Sequence, residues 1–498
     1  MSSLSTPRPS ETPQRAILRR IAQQAMAERG LPPTFSNAVA AELDRIQEPG
    51  HEKPASASPP IRDLTGLLWA SIDNDDSRDL DQLSVADATR GDVITVLVAI
   101  ADVDTLVKSG SAIDEHARHN TTSVYTAGGV FPMLPEQLST DLTSLNPDRD
   151  RLALVIEMVV DADGAVQRSD IYRARVRNRA QLVYGSVGAW LEGTASMPAA
   201  VAAVPGLAEN LRQQDEVARR LRNVRHAHGA LSLETARAKP HFEGNQLRAL
   251  DVEQKNRAAD LIEDFMIAAN GVAARYLSAK GFPSIRRVVR TPKRWERIRA
   301  LAAERGTQLP VDADSVALDR WLVQQRATDP TNFAELSLSV IKLLGAGEYV
   351  AQQPGAEPIG HFGLAVRDYA HSTAPNRRYA DLITQRLLKA AIAGDTPPQD
   401  DFAALAAHLT EGEDAANKVE RQVGKSAAAM LLQSRIHERF DAQVTGVSPK
   451  GTWARLLTMP VEGRVVRQAE GVEVGERIRV QLVAVDVERG FIDFARMT

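Results

Sequence analysis

Residues 71–84 read SIDNDDSRDLDQLS and place five aspartates (Asp73, Asp75, Asp76, Asp79, Asp81) within nine positions, just ahead of an apolar run. Carboxylates this close raise one another's pKa unless a cation neutralises them. A solvated acidic loop is the bland alternative. Against it, the cluster abuts Leu80, Leu83 and Val85, which turn it toward a cleft. A calcium EF-hand loop fits poorly: counted from Asp73, the sixth position is Arg78 where glycine is needed, and the twelfth is Ser84 where glutamate is needed. Hard oxygen ligands without His or Cys select Mg²⁺ or Mn²⁺, the metals of phosphoryl chemistry. Two such ions about 3.5–4 Å apart can activate a water and hold the leaving oxygen of an in-line displacement.

The second chemical segment is YAHSTAPNRRYADLITQR, residues 369–386. Ser372 and Thr373 are capping-type residues and Pro375 suits a first helical turn, so a helix is expected over 376–392. Arg377 and Arg378 then fall in its first turn, where the helix dipole disfavours each cation by about 0.3–1 kcal/mol. A local rule broken twice side by side points to function. Arginine forks beside the free N–H groups of a helix start make a phosphate clamp. The alternative is an arginine pair bridged to surface carboxylates; an acidic metal loop in the same chain favours the clamp.

Both segments need a scaffold. A chain of 498 residues is too long for one compact core and predicts two to four domains. With 43% hydrophobic and 25% charged residues and a mean hydropathy of -0.25, it has the composition of a soluble globular protein. Lys plus Arg number 60 against 64 Asp plus Glu, a net charge of -4. That balance excludes a purely basic nucleic-acid coat and leaves local basic grooves open. The absence of cysteine removes disulfides, thiolate metal sites and cysteine nucleophiles together. The longest apolar stretch, Val93 to Val103, is far short of a membrane span, and MSSLSTPRPSETPQ is no signal sequence. A cytoplasmic protein without a membrane partner is expected.

Residues 1–10 read as a disordered leader. In 11–47, Ile17, Leu18, Ile21 and Ala25, then Val39, Ala40, Leu43 and Ile46, recur at helical spacing around a Gly30-Leu31-Pro32-Pro33 break. This is either a helix-turn-helix-like module or a helical adaptor that packs on its neighbour. Residues 48–60 are a linker by composition. Strands are expected at 93–103 and 152–160, the latter closed by the Asp-Ala-Asp-Gly turn of 161–164. Alternation over 166–179 puts Arg173, Arg175, Arg177 and Arg179 on one strand face. Helices are expected at 206–225, 257–280 and 376–392. The mixture predicts one large α/β or α+β domain over 61–435, followed by a barrel of about five short strands in 436–498.

At this point the motifs resemble those of the ribonuclease II (RNB) family of 3′→5′ exoribonucleases. IDNDDSRDLDQL resembles its aspartate motif and VFPMLPEQLSTDLTSLNP (130–147) the motif downstream. RNRAQLVYGSV (177–187), HGALSL (228–233), LIEDFMIAAN (261–270) and HSTAPNRRYADL (371–382) resemble four more, in the family's order. The last sixty residues are similar to an S1-type OB domain. The resemblance implies an α+β RNB catalytic domain flanked by the helical module and a five-stranded OB/S1 barrel. It implies Mg²⁺-dependent, processive hydrolysis of single-stranded RNA from 3′ ends, with release of nucleoside 5′-monophosphates; Mn²⁺ would substitute, and with no sign of an exposed coiled coil a monomer is expected.

Carried over by motif, Asp73, Asp79 and Asp81 match the family's metal-binding and catalytic aspartates, and Arg377 and Arg378 match the residues expected to grip phosphates near the scissile bond. Gln82 stands where the family usually continues with Asp. A glutamine oxygen can ligate a hard cation but brings no charge, which leaves the second metal site to compensation by Asp75 or Asp76, or to a lower metal affinity. Tyr125 matches a tyrosine that holds the terminal nucleotide and sets the length of the final product. Tyr184 matches one of two aromatic clamps; the other position is Leu233, so the clamp is looser by part of the ~1–3 kcal/mol that stacking supplies per base. Glu263 and Glu420 match acids near the bound ribose and bases, the alternative for each being a structural pair with an arginine. His371 receives no chemistry. Tandem cold-shock domains, common ahead of the family's catalytic region, do not fit in sixty residues, so the path by which RNA enters is expected to differ.

A positive path for RNA is offered by the arginine strand and by Arg286, Arg287, Arg290, Lys293 and Arg294, or else these are solvated basic faces. Phe440, Trp453 and Arg455 of the barrel are further candidates, Phe440 equally a core residue. Two rivals stand beside the exonuclease: a catalytically weak or silent RNA-binding regulator disabled by Gln82, and a metal-dependent phosphomonoesterase, which would leave the barrel unexplained.

Overall fold

The computed structural model describes residues 13–46, 60–234, 237–253, 255–330 and 332–497. The leader expected over 1–10 and nearly all of the linker expected over 48–60 lie outside the described residues. The helical head is present as α1 (Pro13–Ala27) and α2 (Asn37–Leu43). The Ser36 side chain caps α2 by accepting the Val39 N–H. The apolar stripe of α1 (Leu18, Ile21, Ala22, Ala25) is buried with Val419, Val423 and Ala427, while Val39 of α2 joins the main core. Each helix therefore docks on the body, as in the adaptor reading.

The main sheet has seven strands. In chain order the chain forms β1 (Arg62–Asp63), β2 (Ala70–Asp73), β3 (Gln82–Arg90), β4 (Val93–Ala101), helix α3 (Ala112–Asn120), a hairpin β5 (Val124–Thr126) and β6 (Gly129–Phe131), then β7 (Asp150–Val160), β8 (Val166–Arg177) and β9 (Ala180–Val183). The sheet order is β1-β8-β7-β4-β3-β2-β9. Strand β4 is central and reads VITVLVAIA because residues 96–101 are buried irrespective of the face they point to. Helices α4 (Tyr184–Leu191), α5 (Ala199–Ala202), α6 (Leu207–Ala227) and α7 (Arg257–Ala279) follow, with the hairpin β10 (Arg237–Glu243) and β11 (Gln246–Glu253) between the last two. Helix α7 is capped by Asn256, whose side chain accepts the N–H groups of Ala258 and Ala259. Helix α6 packs on β3 and β4, and α7 on β2, β7 and β8.

Strand β12 (Ser284–Val288) pairs with β13 (Glu348–Gln352). Between them α8 (Trp295–Ala303), α9 (Ser315–Thr328) and α10 (Phe333–Leu344) form a satellite core around Trp295, Leu318, Trp321 and Phe333. Helices α11 (Tyr379–Ala393) and α12 (Phe402–Leu432) complete the body. The expected barrel is closed by β14 (Arg439–Ser448), β15 (Gly451–Leu456), β16 (Glu462–Arg467), β17 (Arg477–Asp486) and β18 (Phe491–Arg496), in the order β14-β15-β16-β18-β17. Its inward residues alternate along the strands, and Phe440 is one of them, so that residue is core. Gly463 lies against the Phe494 ring, where any Cβ would collide.

Two expectations need correction. Helix α11 begins at Tyr379, not 376: Arg378 occupies the N-cap position and Arg377 precedes it. The alternating arginines do share a face of β8 and its extension, but three of them are engaged by the protein's own groups. Arg173 pairs with Asp102 at 3.1 Å, Arg177 with Asp150 at 2.6 Å, and Arg179 donates to the Thr65 carbonyl. These three brace strands.

Candidate active site

The acidic segment is the connection between β2, which ends at Asp73, and β3, which begins at Gln82. The Gln82 amide donates to Asp73 Oδ1 at 3.3 Å, whereas Asp73 Oδ2 is buried and receives no hydrogen bond. Burial, reinforced by the charge of Asp81, pushes the Asp73 carboxyl up to about 7. Asp81 is only 2% exposed, and burial carries it to about 7 as well, even though Arg377 pulls the other way. Asp79 accepts a hydrogen bond from the Tyr125 hydroxyl at 3.2 Å. Asp75 and Asp76 are exposed and face Lys239, at 3.9 and 3.6 Å. That placement turns them outward and does not support their replacing the missing charge at position 82. Among the described residues no three His, Asp or Glu side chains are gathered into a ready metal cage. What fits a hard cation is the donor set itself: oxygen only, under-neutralised, with one buried carboxylate oxygen lacking any donor.

The turn at 374–378 faces this loop. The backbone N–H of Asn376 donates to Asp81 Oδ1 at 3.0 Å, and Arg377 Nε donates to Asp81 Oδ2 at 3.2 Å. Asp81 therefore joins the two segments that the sequence left nearly three hundred residues apart. The neighbouring arginines differ. Arg377 keeps 42% of its side chain exposed, whereas Arg378 turns inward and donates to Asp381 Oδ1 at 2.7 Å. Asp381 also accepts the Ala374 N–H at 2.8 Å, so this aspartate organises the turn. Ser372 and Thr373 do not cap the helix. Ser372 donates through its N–H and its hydroxyl to Asn270 Oδ1, and the Thr373 hydroxyl accepts from Arg378. His371 is half-buried and meets the Tyr349 hydroxyl at 2.8 Å, and desolvation together with the Arg378 charge keeps it neutral.

The Tyr125 N–H donates to Glu420 of α12 at 2.8 Å, which adds α12 to the same connected set. Asp73, Asp79, Asp81, Gln82, Tyr125, Arg377 and Glu420 thus converge. Tyr184 stands at the first turn of α4, one residue past Val183, the sheet partner of Asp73, and is half-buried against the main core. Leu233 packs on the satellite core of α8–α10, and Glu263 on α7 pairs with Lys255 at 2.5 Å. The second basic cluster is mostly structural. Arg286 is buried with the Ala274 carbonyl, Arg287 holds Glu413 and Arg290 holds Glu348. Lys293 and Arg294 are exposed. On the barrel, Trp453 is half-buried and Arg455 pairs with Glu335 of α10 at 2.5 Å. Sequence reasoning missed Asn376 and Asp381. An acidic residue three positions after Arg378, the spacing of a helical ion pair, was a readable sign of the second; nothing marked the first, which acts through its backbone.

An α+β domain whose acidic loop is closed by an arginine turn, followed by a five-stranded barrel, is the arrangement seen here, and the chain belongs to the RNB domain family, whose pattern it matches over residues 61–394. Residues 438–497 match the RNase II-type exonuclease C-terminal S1 domain. The chain is similar to Ribonuclease R of Aquifex aeolicus (strain VF5), 30% identical over 490 residues that cover 93% of this chain and 68% of that protein. It is 28% identical to Ribonuclease R of Escherichia coli (strain K12), covering 95% of this chain and 61% of that one. The chain thus spans roughly three fifths to two thirds of the length of these relatives. A solved structure, Mycoplasma genitalium RNase R in complex with ribose methylated single-stranded RNA, shares the fold with a TM-score of 0.86 at 22% identity, over 96% of this chain and 77% of that one. No described helix is long and apolar enough to cross a membrane.

Proposed function

We propose that this chain is a Mg²⁺-dependent exoribonuclease of the ribonuclease II type that hydrolyses single-stranded RNA processively from the 3′ end as a monomer and releases nucleoside 5′-monophosphates. The observation that carries the reading is Asp81, buried and bonded at once to the Asn376 N–H and to Arg377 Nε, because it fixes a half-exposed guanidinium against an under-neutralised acidic loop. Asp73, Asp79, Asp81 and Gln82 would hold the divalent ion, which supplies charge to activate water and to stabilise the leaving oxygen. Arg377, with donors left beyond its Nε, grips the phosphate of the scissile linkage; Arg378 supports it from inside the turn. Tyr125, fixed by Asp79 and Glu420 but 42% exposed, offers a ring face to the terminal nucleotide. Burial beside Asp79 keeps its phenol protonated, so it acts as a donor and a platform. Tyr184, Leu233 and Glu263 contact bases and riboses farther along the strand, and contacts to the 2′-hydroxyl select RNA over DNA.

Gln82 donating to Asp73 is the observation that favours the silent or weak RNA-binding alternative, since it spends one carboxylate oxygen on an amide. Uniformly labelled RNA incubated with Mg²⁺, and separately with a chelator, distinguishes the readings. The exonuclease gives nucleoside 5′-monophosphates with Mg²⁺ only. Intact RNA in both Mg²⁺ and Mn²⁺ selects the silent regulator, and free phosphate selects a phosphomonoesterase.

A further inference from the structure

Helix α3 ends on Thr121, whose backbone sits at φ 60° and ψ -32°. A β-branched residue at positive φ is a genuine outlier, and such outliers persist only where their surroundings over-determine them. The surroundings here are specific. Thr121 is 3% exposed, and its side chain fills a notch in α12 at Gly412. A Cβ built on Gly412 would stand 2.5 Å from Thr121 Cγ2 and 2.9 Å from its Cβ, so the glycine is what admits the threonine. The chain leaving this kink lies along the arginine turn. The Thr121 carbonyl accepts the Tyr379 N–H at 2.8 Å, and the Arg377 carbonyl accepts both the Ser123 N–H, at 2.9 Å, and the Thr122 hydroxyl, at 3.0 Å. Two residues later Tyr125 reaches Asp79.

We propose that Thr121 and Gly412 form a lock-and-notch that sets the register of the arginine turn, so that Arg377 Nε meets Asp81. Thr121 is a positioning residue: it contacts no reacting atom, and its backbone carries the backbone of 377–379. The inference rests on the nuclease reading for its kinetic consequence, while the geometry it describes is independent of activity.

The test is a mutant cycle on the full chain. Gly412→Ala introduces the colliding methyl group. It is expected to lower kcat about 10- to 100-fold, as for a displacement near 1 Å at the reacting centre, with KM for long RNA within about twofold because Arg377 acts only near the scissile linkage. Thr121→Gly keeps the backbone conformation available and is expected to cost a few-fold at most. The double variant Thr121→Gly/Gly412→Ala, in which the collision is gone, is expected to recover the kcat of Thr121→Gly alone. The second readout needs no turnover. The Arg377 Nε–H resonance in a ¹H–¹⁵N spectrum, assigned with Arg377→Lys, is expected at a hydrogen-bonded, exchange-protected position in the parent, lost in Gly412→Ala and regained in the double variant. An Arg377 resonance unmoved by Gly412→Ala, or a folded double variant that regains neither signal nor kcat, overturns the proposal. An inactive parent with an intact and cycling Arg377 signal sinks the nuclease reading and leaves the lock standing.

Discussion

Asp81→Asn should stabilise the metal-free protein and sharply lower the proposed activity, two effects of opposite sign from one side chain. Asp81 is 2% exposed, and burial raises its carboxyl from 3.8 to about 7. Three units at about 1.4 kcal/mol each make the ionised form roughly 4 kcal/mol less favourable in the folded state above pH 7. The sign follows from linkage. The folded state holds a proton that the unfolded state releases, so stability is highest below pH 3.8 and declines until the pH passes about 7. Asparagine removes that decline. It keeps a carbonyl for the Asn376 N–H but turns an amide donor toward Arg377, a conflict of about 1–3 kcal/mol. The net gain is about 2 kcal/mol at pH 8, shrinking toward pH 5. Thermal unfolding of parent and variant in chelator at both pH values measures it, and the accompanying Mg²⁺-dependent RNA cleavage should fall about 10²–10³-fold. A variant less stable than the parent at pH 8, or one that retains activity, would refute the reasoning about this carboxylate.

Gln82→Asp adds a charge beside Asp73 and breaks the amide bond to it; Mn²⁺ titration by calorimetry should show tighter binding, and an unchanged isotherm would mean that position 82 faces no cation. Arg455→Glu should weaken RNA binding by separating the barrel from α10, and Glu335→Arg in the same chain should restore it; no recovery would show that Arg455 contacts RNA directly. Leu18→Ala, in a fully buried site between α1 and α12, should cost about 2–5 kcal/mol in denaturant unfolding, against near zero if the head were an undocked module. Tyr125→Ala should leave a longer residual fragment on a sequencing gel, because the terminal nucleotide loses its ring platform.

Much of this architecture was legible because its signals are periodic. The run VITVLVAIA, the alternation over 166–179, the stripe of α7 and the short strands of the barrel each carry their own spacing. Helix α12 went unread: its Ala-rich surface is spread over three clusters and shows no single stripe. The acidic loop and the arginine turn were visible as chemistry, but their meeting was not, since it runs through the backbone N–H of Asn376 and the side chain of Arg377 across 295 residues. The start of α11 was misplaced because Ser372 and Thr373 resemble caps in one dimension, while in three dimensions they bond Asn270 and Arg378 and leave Asp381 to organise the turn. The basic clusters misled for a related reason. A row of arginines says nothing of the carboxylates that wait opposite, and Asp102, Asp150, Glu413 and Glu348 come from distant elements.

The most direct test is a time course on 5′-labelled RNA with an unpaired 3′ tail, in Mg²⁺. The account predicts that full-length RNA passes straight to a short 5′-labelled end product, with few intermediates and no reaction when the 3′ end is blocked. A label released first as a mononucleotide, internal fragments, or RNA that stays whole would contradict it.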